Sequence, residues 1–160
     1  MDSDEANRLF NEHIVTHDHW GRVGNAFGVP DWLKGLWASV LLLVGDESIA
    51  YVDGQYTRDD ASGLRSGDLV VYTDTRMVRA RVMNAGAVPE ATEVWTVARS
   101  SLARVEVDRV WGWDPWPPDG VRVRVAYPGG DAFYLPRVRG RETAFHEFLP
   151  KLVDDVSRPA

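Results

Sequence analysis

Three of the four histidines, His13, His17 and His19, fall within seven residues and stand beside Glu12 and Asp18. On a helix His13 and His17 are one turn apart, the spacing that lets two imidazoles share a zinc or nickel ion. Against this reading, His13 shares the apolar face of Leu9, Phe10 and Ile14, and no glutamate between the pair supplies the acid–base group of a metalloprotease helix. The plainer alternative is a set of structural or solvated histidines.

A second group is aromatic. The stretch "RVWGWDPWPPDG", residues 109–120, sets Trp111, Trp113 and Trp116 among prolines and aspartates. As a binding tip these rings would offer flat surface to a sugar, a bilayer interface or a protein partner. As structure they would fold back over the body of the domain, with Pro115, Pro117 and Pro118 stiffening the path, and at least one ring largely buried.

The third group is basic. Arg79, Arg81, Arg122 and Arg124, with Arg76, Arg137, Arg139 and Arg141, are candidates for a patch holding an anionic headgroup or a phosphorylated peptide. The alternative is a strand exterior on which they pair with Glu93, Glu106 and Asp108. The net charge of −6 disfavours anionic membranes, and it also argues against nonspecific binding to nucleic acid, which runs on phosphate neutralisation.

Catalytic chemistry finds little support. No nucleophile elbow surrounds Ser39, Ser48, Ser66, Ser100 or Ser101. The paired carboxylates Asp59–Asp60 and Asp154–Asp155 sit in polar contexts that favour solvation over a raised pKa. "GRVGNAFG" has glycines but lacks the strand–helix setting of a phosphate loop. The absence of cysteine excludes thiol nucleophiles, disulfides and Cys-ligated zinc. No cofactor is implied.

The 160 residues fit one domain with an appendage. The acidic start "MDSDEANRLF" is unlike a secretory signal, and "LWASVLLLV" is far shorter than the roughly 20 apolar residues that span a bilayer. The expectation is a cytoplasmic protein with no transmembrane segment.

The elements that must position these groups follow from periodicity. Residues 4–17 read as a short amphipathic helix. A second, capped by Asp31, carries Leu33, Leu36, Trp37, Val40, Leu41 and Val44 on one stripe and ends at Gly45. Strand periodicity follows. In "RMVRARV" Val78, Ala80 and Val82 share one face, and Met77, Arg79 and Arg81 the other. "ARVEVDRV" and "VRVRVAY" alternate likewise, and if they pair, Glu106 and Asp108 meet Arg122 and Arg124, with the Trp-rich stretch as their loop. "RETAFHEFLPKLVDDV" closes the chain as a helix with Phe145, Phe148, Leu149, Leu152 and Val156 on one stripe, bent at Pro150.

The run "LLLVGDESIAYVDGQY" followed by "GDLVVYTDTRMVRARV" resembles the bacterial pleckstrin-homology-like and GRAM-like domains. Gly45, Glu47, Gly67, Leu69, Thr73, Asp74 and Arg76 carry the likeness, which extends over residues 32–156. The resemblance implies a mainly β fold with α: a pleckstrin-homology-like barrel of about seven antiparallel strands closed by a C-terminal helix. The periodicity places two N-terminal helices ahead of the strands, and residues 1–31 lie outside the family pattern. Residues 1–31 form the N-terminal helical extension and loop, 32–157 the domain, and 158–160 a tail.

The functional expectation is a non-catalytic protein-interaction or scaffolding module whose partner is another protein or a second copy of itself. The alternative is a peripheral membrane or lipid-binding module using the Trp-rich loop. A metal-binding protein or a small enzyme ranks below both.

Overall fold

The run Leu69-Val70-Val71-Tyr72 is apolar without alternation, and all four side chains are buried. A strand of this kind needs cover on both faces. The computed structural model describes residues 3–15, 31–58, 61, 65–84, 91–112, 120–137 and 141–157. It provides that cover in layers.

Strands β1 (Ile49–Arg58), β2 (Arg65–Thr73), β3 (Arg76–Asn84) and β4 (Ala91–Ala98) form an antiparallel sheet in sequence order. One face carries Val52, Leu69, Val71, Val78, Ala80 and Val82. It packs under helices α1 (Ser3–Phe10) and α2 (Asp31–Val44) through Leu9, Phe10, Leu33, Leu36, Trp37, Val40 and Val44. A π-helical turn, Asn11–Val15, extends α1. The Trp37 indole reaches the Ala6 carbonyl at 3.4 Å and lies 6.2 Å from the Phe10 ring, tying α1 to α2. Gly45, at φ 67°, ends α2 in the left-handed region, and its N–H bonds the Leu41 carbonyl at 2.9 Å.

The opposite face carries Tyr51, Val70, Tyr72 and Met77. It meets a second antiparallel sheet of β5 (Arg104–Trp111), β6 (Gly120–Ala126) and β7 (Phe133–Leu135), together with helix α3 (Glu142–Ser157). Phe148 of α3 stacks on Tyr51 at 5.0 Å and approaches Tyr72 at 4.8 Å. Helix α3 continues on both sides of Pro150, which lies on its exposed side.

The expected closed barrel is not what the strands form. Among the described residues the seven strands make two separate sheets, of four and three strands, with no ladder between them. Between β4 and β5 the chain makes a 3-10 turn, Arg99–Ser101, anchored by the buried Arg99. On β1 the Val52 carbonyl is taken by the Arg141 guanidinium. No helix of the described residues is long and apolar enough to cross a membrane.

Candidate interaction surface

Strand β5 lies at one edge of the three-stranded sheet, so only its β6 side is hydrogen-bonded to a strand among the described residues. Its register on β6 sets Val105 opposite Val125, Val107 opposite Val123 and Val110 opposite Val121, with a bulge at Asp108. The partners Val121, Val123 and Val125 are buried, so the β5 valines belong to the same core-facing side. Yet Val107 is 64% and Val110 56% exposed. The cover that reaches β6 stops short of the outer half of β5.

The other edges differ. Strand β7 has three residues. The Val52 carbonyl of β1 is capped by Arg141, and β4 exposes Thr92, Glu93 and Thr96 rather than large aliphatic groups. Edge strands are commonly blunted by inward-pointing charges, and β5 places valines there instead. Its charges lie on the outer face.

Those outer charges pair as the alternation implied. Arg122 donates to Asp108 at 2.7 Å and lies 4.5 Å from the Tyr134 ring centroid, while Arg124 donates to Glu106 at 3.4 Å. Glu106 also pairs with Arg104 of its own strand. Arg109 stands opposite Arg122 and has no carboxylate partner among the described residues.

Trp111 ends β5 opposite Gly120, and its indole lies directly over that glycine. A Cβ added to Gly120 would stand 2.3 Å from the ring carbons, so the ring occupies the space a side chain would need. Trp111 keeps 38% of its surface exposed. Trp113 and Trp116 lie outside the described residues.

Arg79 and Arg81 are on the other sheet and face inward, in the phase that their alternation with Val78, Ala80 and Val82 requires. Arg79 is 3% exposed and grips both oxygens of Asp68, at 3.0 and 2.7 Å, with its third nitrogen on the Asp131 carbonyl. Arg81 lies 3.7 Å from Asp68 and 3.1 Å from the Asp131 carboxylate. Arg137 brings a third guanidinium 3.0 Å from Asp68. The four candidate arginines therefore form two clusters, one between the sheets and one on the outer face of β5–β6, each already holding carboxylates.

Beside the inner cluster is a concavity of about 480 Å3 lined by Gln55, Thr57, Ser66, Arg81, Glu93 and Arg137, among others. Its charged groups balance. Nearby, Asp53 is buried and accepts from the Tyr51 hydroxyl at 2.9 Å and from the Gly54 and Arg137 amides at 2.8 and 2.7 Å. Burial raises its carboxyl pKa above the ordinary range, against the pull of those three bonds. The inner network was not anticipated as a unit. Its one sequence signal was Asp53, two residues from Tyr51 and so on the same core-facing side of β1.

Of the three candidate metal ligands, His13 is described and His17 and His19 are not. His13 is half-buried, with Glu12 at 3.9 Å, and burial lowers its pKa, favouring the neutral ring. Among the described residues no three metal-ligating side chains converge.

No protein-family model matches the chain, and no curated protein matches it. Among solved structures, the chain is similar to a pleckstrin homology domain from Shewanella amazonensis SB2B, known from a crystal structure at 1.99 Å resolution. That likeness has 14% identity and a TM-score of 0.45, and it covers 79% of this chain and 99% of the other.

Proposed function

We propose that this chain is a non-catalytic protein-interaction module of pleckstrin-homology-like fold, which recruits a protein partner by strand addition along β5. The observation that carries the reading is the pair of core-facing valines, Val107 and Val110, left more than half exposed on a strand whose outer edge has no strand partner among the described residues. An added strand would take up the unpaired backbone groups of β5 and cover both side chains at once, which is how peptide strands are recognised at open sheet edges. Trp111 lies at the end of the same strand, and Trp113 and Trp116 follow within five residues of sequence. A lipid-surface role has no comparable support, because the described ring, Trp111, rests on Gly120.

Fluorescence-detected sedimentation of the labelled chain in clarified extract of its source organism tests the reading. The wild-type chain should sediment faster than a lone monomer. Val107→Asp/Val110→Asp should sediment as a monomer while keeping its melting temperature, since both side chains already face solvent. A wild-type chain that stays monomeric in extract overturns the proposal.

A further inference from the structure

The outer and inner faces of β5 carry a pattern complementary to itself. The strand reads Arg104-Val105-Glu106-Val107-Asp108-Arg109-Val110-Trp111. Because Asp108 is a bulge, Arg104, Glu106, Arg109 and Trp111 share the outer face, while Val105, Val107 and Val110 share the inner one. Two such strands can be laid antiparallel with the two-fold axis between Val107 and Asp108. Glu106 then falls opposite Arg109 of the second copy, Val105 opposite its Val110, and Arg104 opposite its Trp111. Every pair outside the bulges keeps to one face and joins unlike charge, apolar to apolar, or cation to ring.

Neighbouring registers fail on the same criteria. Moving the axis onto Glu106 opposes Glu106 to its own copy, and placing it between Glu106 and Val107 opposes Arg104 to Arg109. With the axis on Val107, Val105 would face Arg109 and Glu106 would face Asp108. Placing the axis between Asp108 and Arg109 also gives Arg109 a carboxylate, Asp108 of the second copy, but it sets Glu106 against Trp111. The register with the axis between Val107 and Asp108 pairs Arg109, which has no carboxylate partner among the described residues, with Glu106, and leaves Glu106 between Arg109 of the second copy and its own Arg124. The facing bulges interrupt the ladder at the axis, so pairing rests on two arms, residues 104–106 against 109–111.

We infer that the partner taken by β5 is a second copy of this chain, joined in that register into a continuous six-stranded antiparallel sheet. The inference rests on the strand-addition reading and names its occupant. It has no need of any other surface.

The chain has no cysteine, which permits a direct test of register. In the purified full chain, Val105→Cys/Val110→Cys should give an intermolecular disulfide dimer on mild oxidation, because residues 105 and 110 of the two copies are opposed at bridging distance. Val105→Cys alone and Val110→Cys alone should not, since like positions are far apart in this register. Sedimentation equilibrium supplies the second readout. Glu106→Arg and Arg109→Glu should each weaken dimerisation at least tenfold, and the charge-swapped double variant should recover it; thermal melts confirm that each variant is folded.

A wild-type chain that is monomeric up to roughly 1 mM, the weak limit of specific association, overturns the inference. So does a dimer indifferent to both single charge reversals, or one cross-linked as readily by either single cysteine. A purified monomer that still sediments as a larger species in extract would refute self-pairing and leave the strand-addition reading in place.

Discussion

Replacing Asp155 by asparagine removes one charge and almost no volume from the most enclosed ion pair among the described residues. Arg99, at the corner before β5, donates Nε to Asp155 at 2.7 Å and Nη2 at 3.0 Å. Both side chains are less than a tenth exposed. In Asp155→Asn the guanidinium stays buried and keeps its bond to the Thr73 carbonyl at 2.8 Å and its place 5.7 Å from the Phe148 ring, but it loses its counter-charge. Breaking one side of a buried pair costs about 3–5 kcal/mol. At roughly 2–4 °C per kcal/mol for a chain of this size, the melting temperature should fall by roughly 6–20 °C.

Urea unfolding should show the loss as a lower midpoint at unchanged slope. The companion variant Arg99→Met/Asp155→Leu removes both charges into an apolar setting beside Phe148 and should return close to wild-type stability. Amide exchange in Leu102–Val105, next to this corner, should rise in the single variant and not in the double. A loss below about 1 kcal/mol for Asp155→Asn, the level of a solvated surface pair, would refute the reasoning.

Two further outcomes follow from local geometry. Gly120→Ala should push the Trp111 indole off β6, cost about 1–3 kcal/mol through overpacking, and red-shift the tryptophan emission. In a Trp111→Ala background the same change should be nearly neutral, and additive effects in that cycle would contradict the contact. Glu47 accepts from the Thr73 hydroxyl at 2.6 Å and from Thr75, beside Arg76, and these bonds hold its carboxyl below the ordinary value of 4.5. Its folded pKa is depressed, so its contribution is complete above the unfolded pKa and is lost as pH falls through the folded one. Glu47→Gln should therefore flatten the acid limb of stability below about pH 4.5, and parallel limbs in wild type and variant would refute it.

The strand faces were legible in the sequence because apolar and charged residues alternate through β3, β5 and β6, and the Glu106–Arg124 and Asp108–Arg122 contacts follow from that phase. So was the α2 stripe with its glycine stop. The bulge had a signal too: Asp108 and Arg109 are two charged residues in succession, and the extra residue is what returns Val110 to the core-facing side. Alternation tells which way a side chain points, however, and not whether anything lies over it. That is why the same period-two pattern describes Val123, fully buried, and Val107, mostly bare. Arg99 and Asp155 are 56 residues apart and carry no local mark of their pairing. Asp68, Arg79, Arg81 and Arg137 likewise converge only because β2, β3 and the segment after β7 meet between the sheets.

The same geometry sets the strength of association at β5. Full burial of a valine side chain is worth about 1.5–3 kcal/mol, and Val107 and Val110 have already spent under half of it within the chain. Covering them recovers about 1–2 kcal/mol apiece, to which two short arms of ladder bonds add a modest net gain because water satisfied the same groups beforehand. Joining two molecules costs several kcal/mol or more. The balance points to a dimer that forms and parts readily in the micromolar to millimolar range, held in register by Glu106 and Arg109, whose pairing weakens with salt. A nanomolar, salt-insensitive dimer would have to be held by some other face of the molecule.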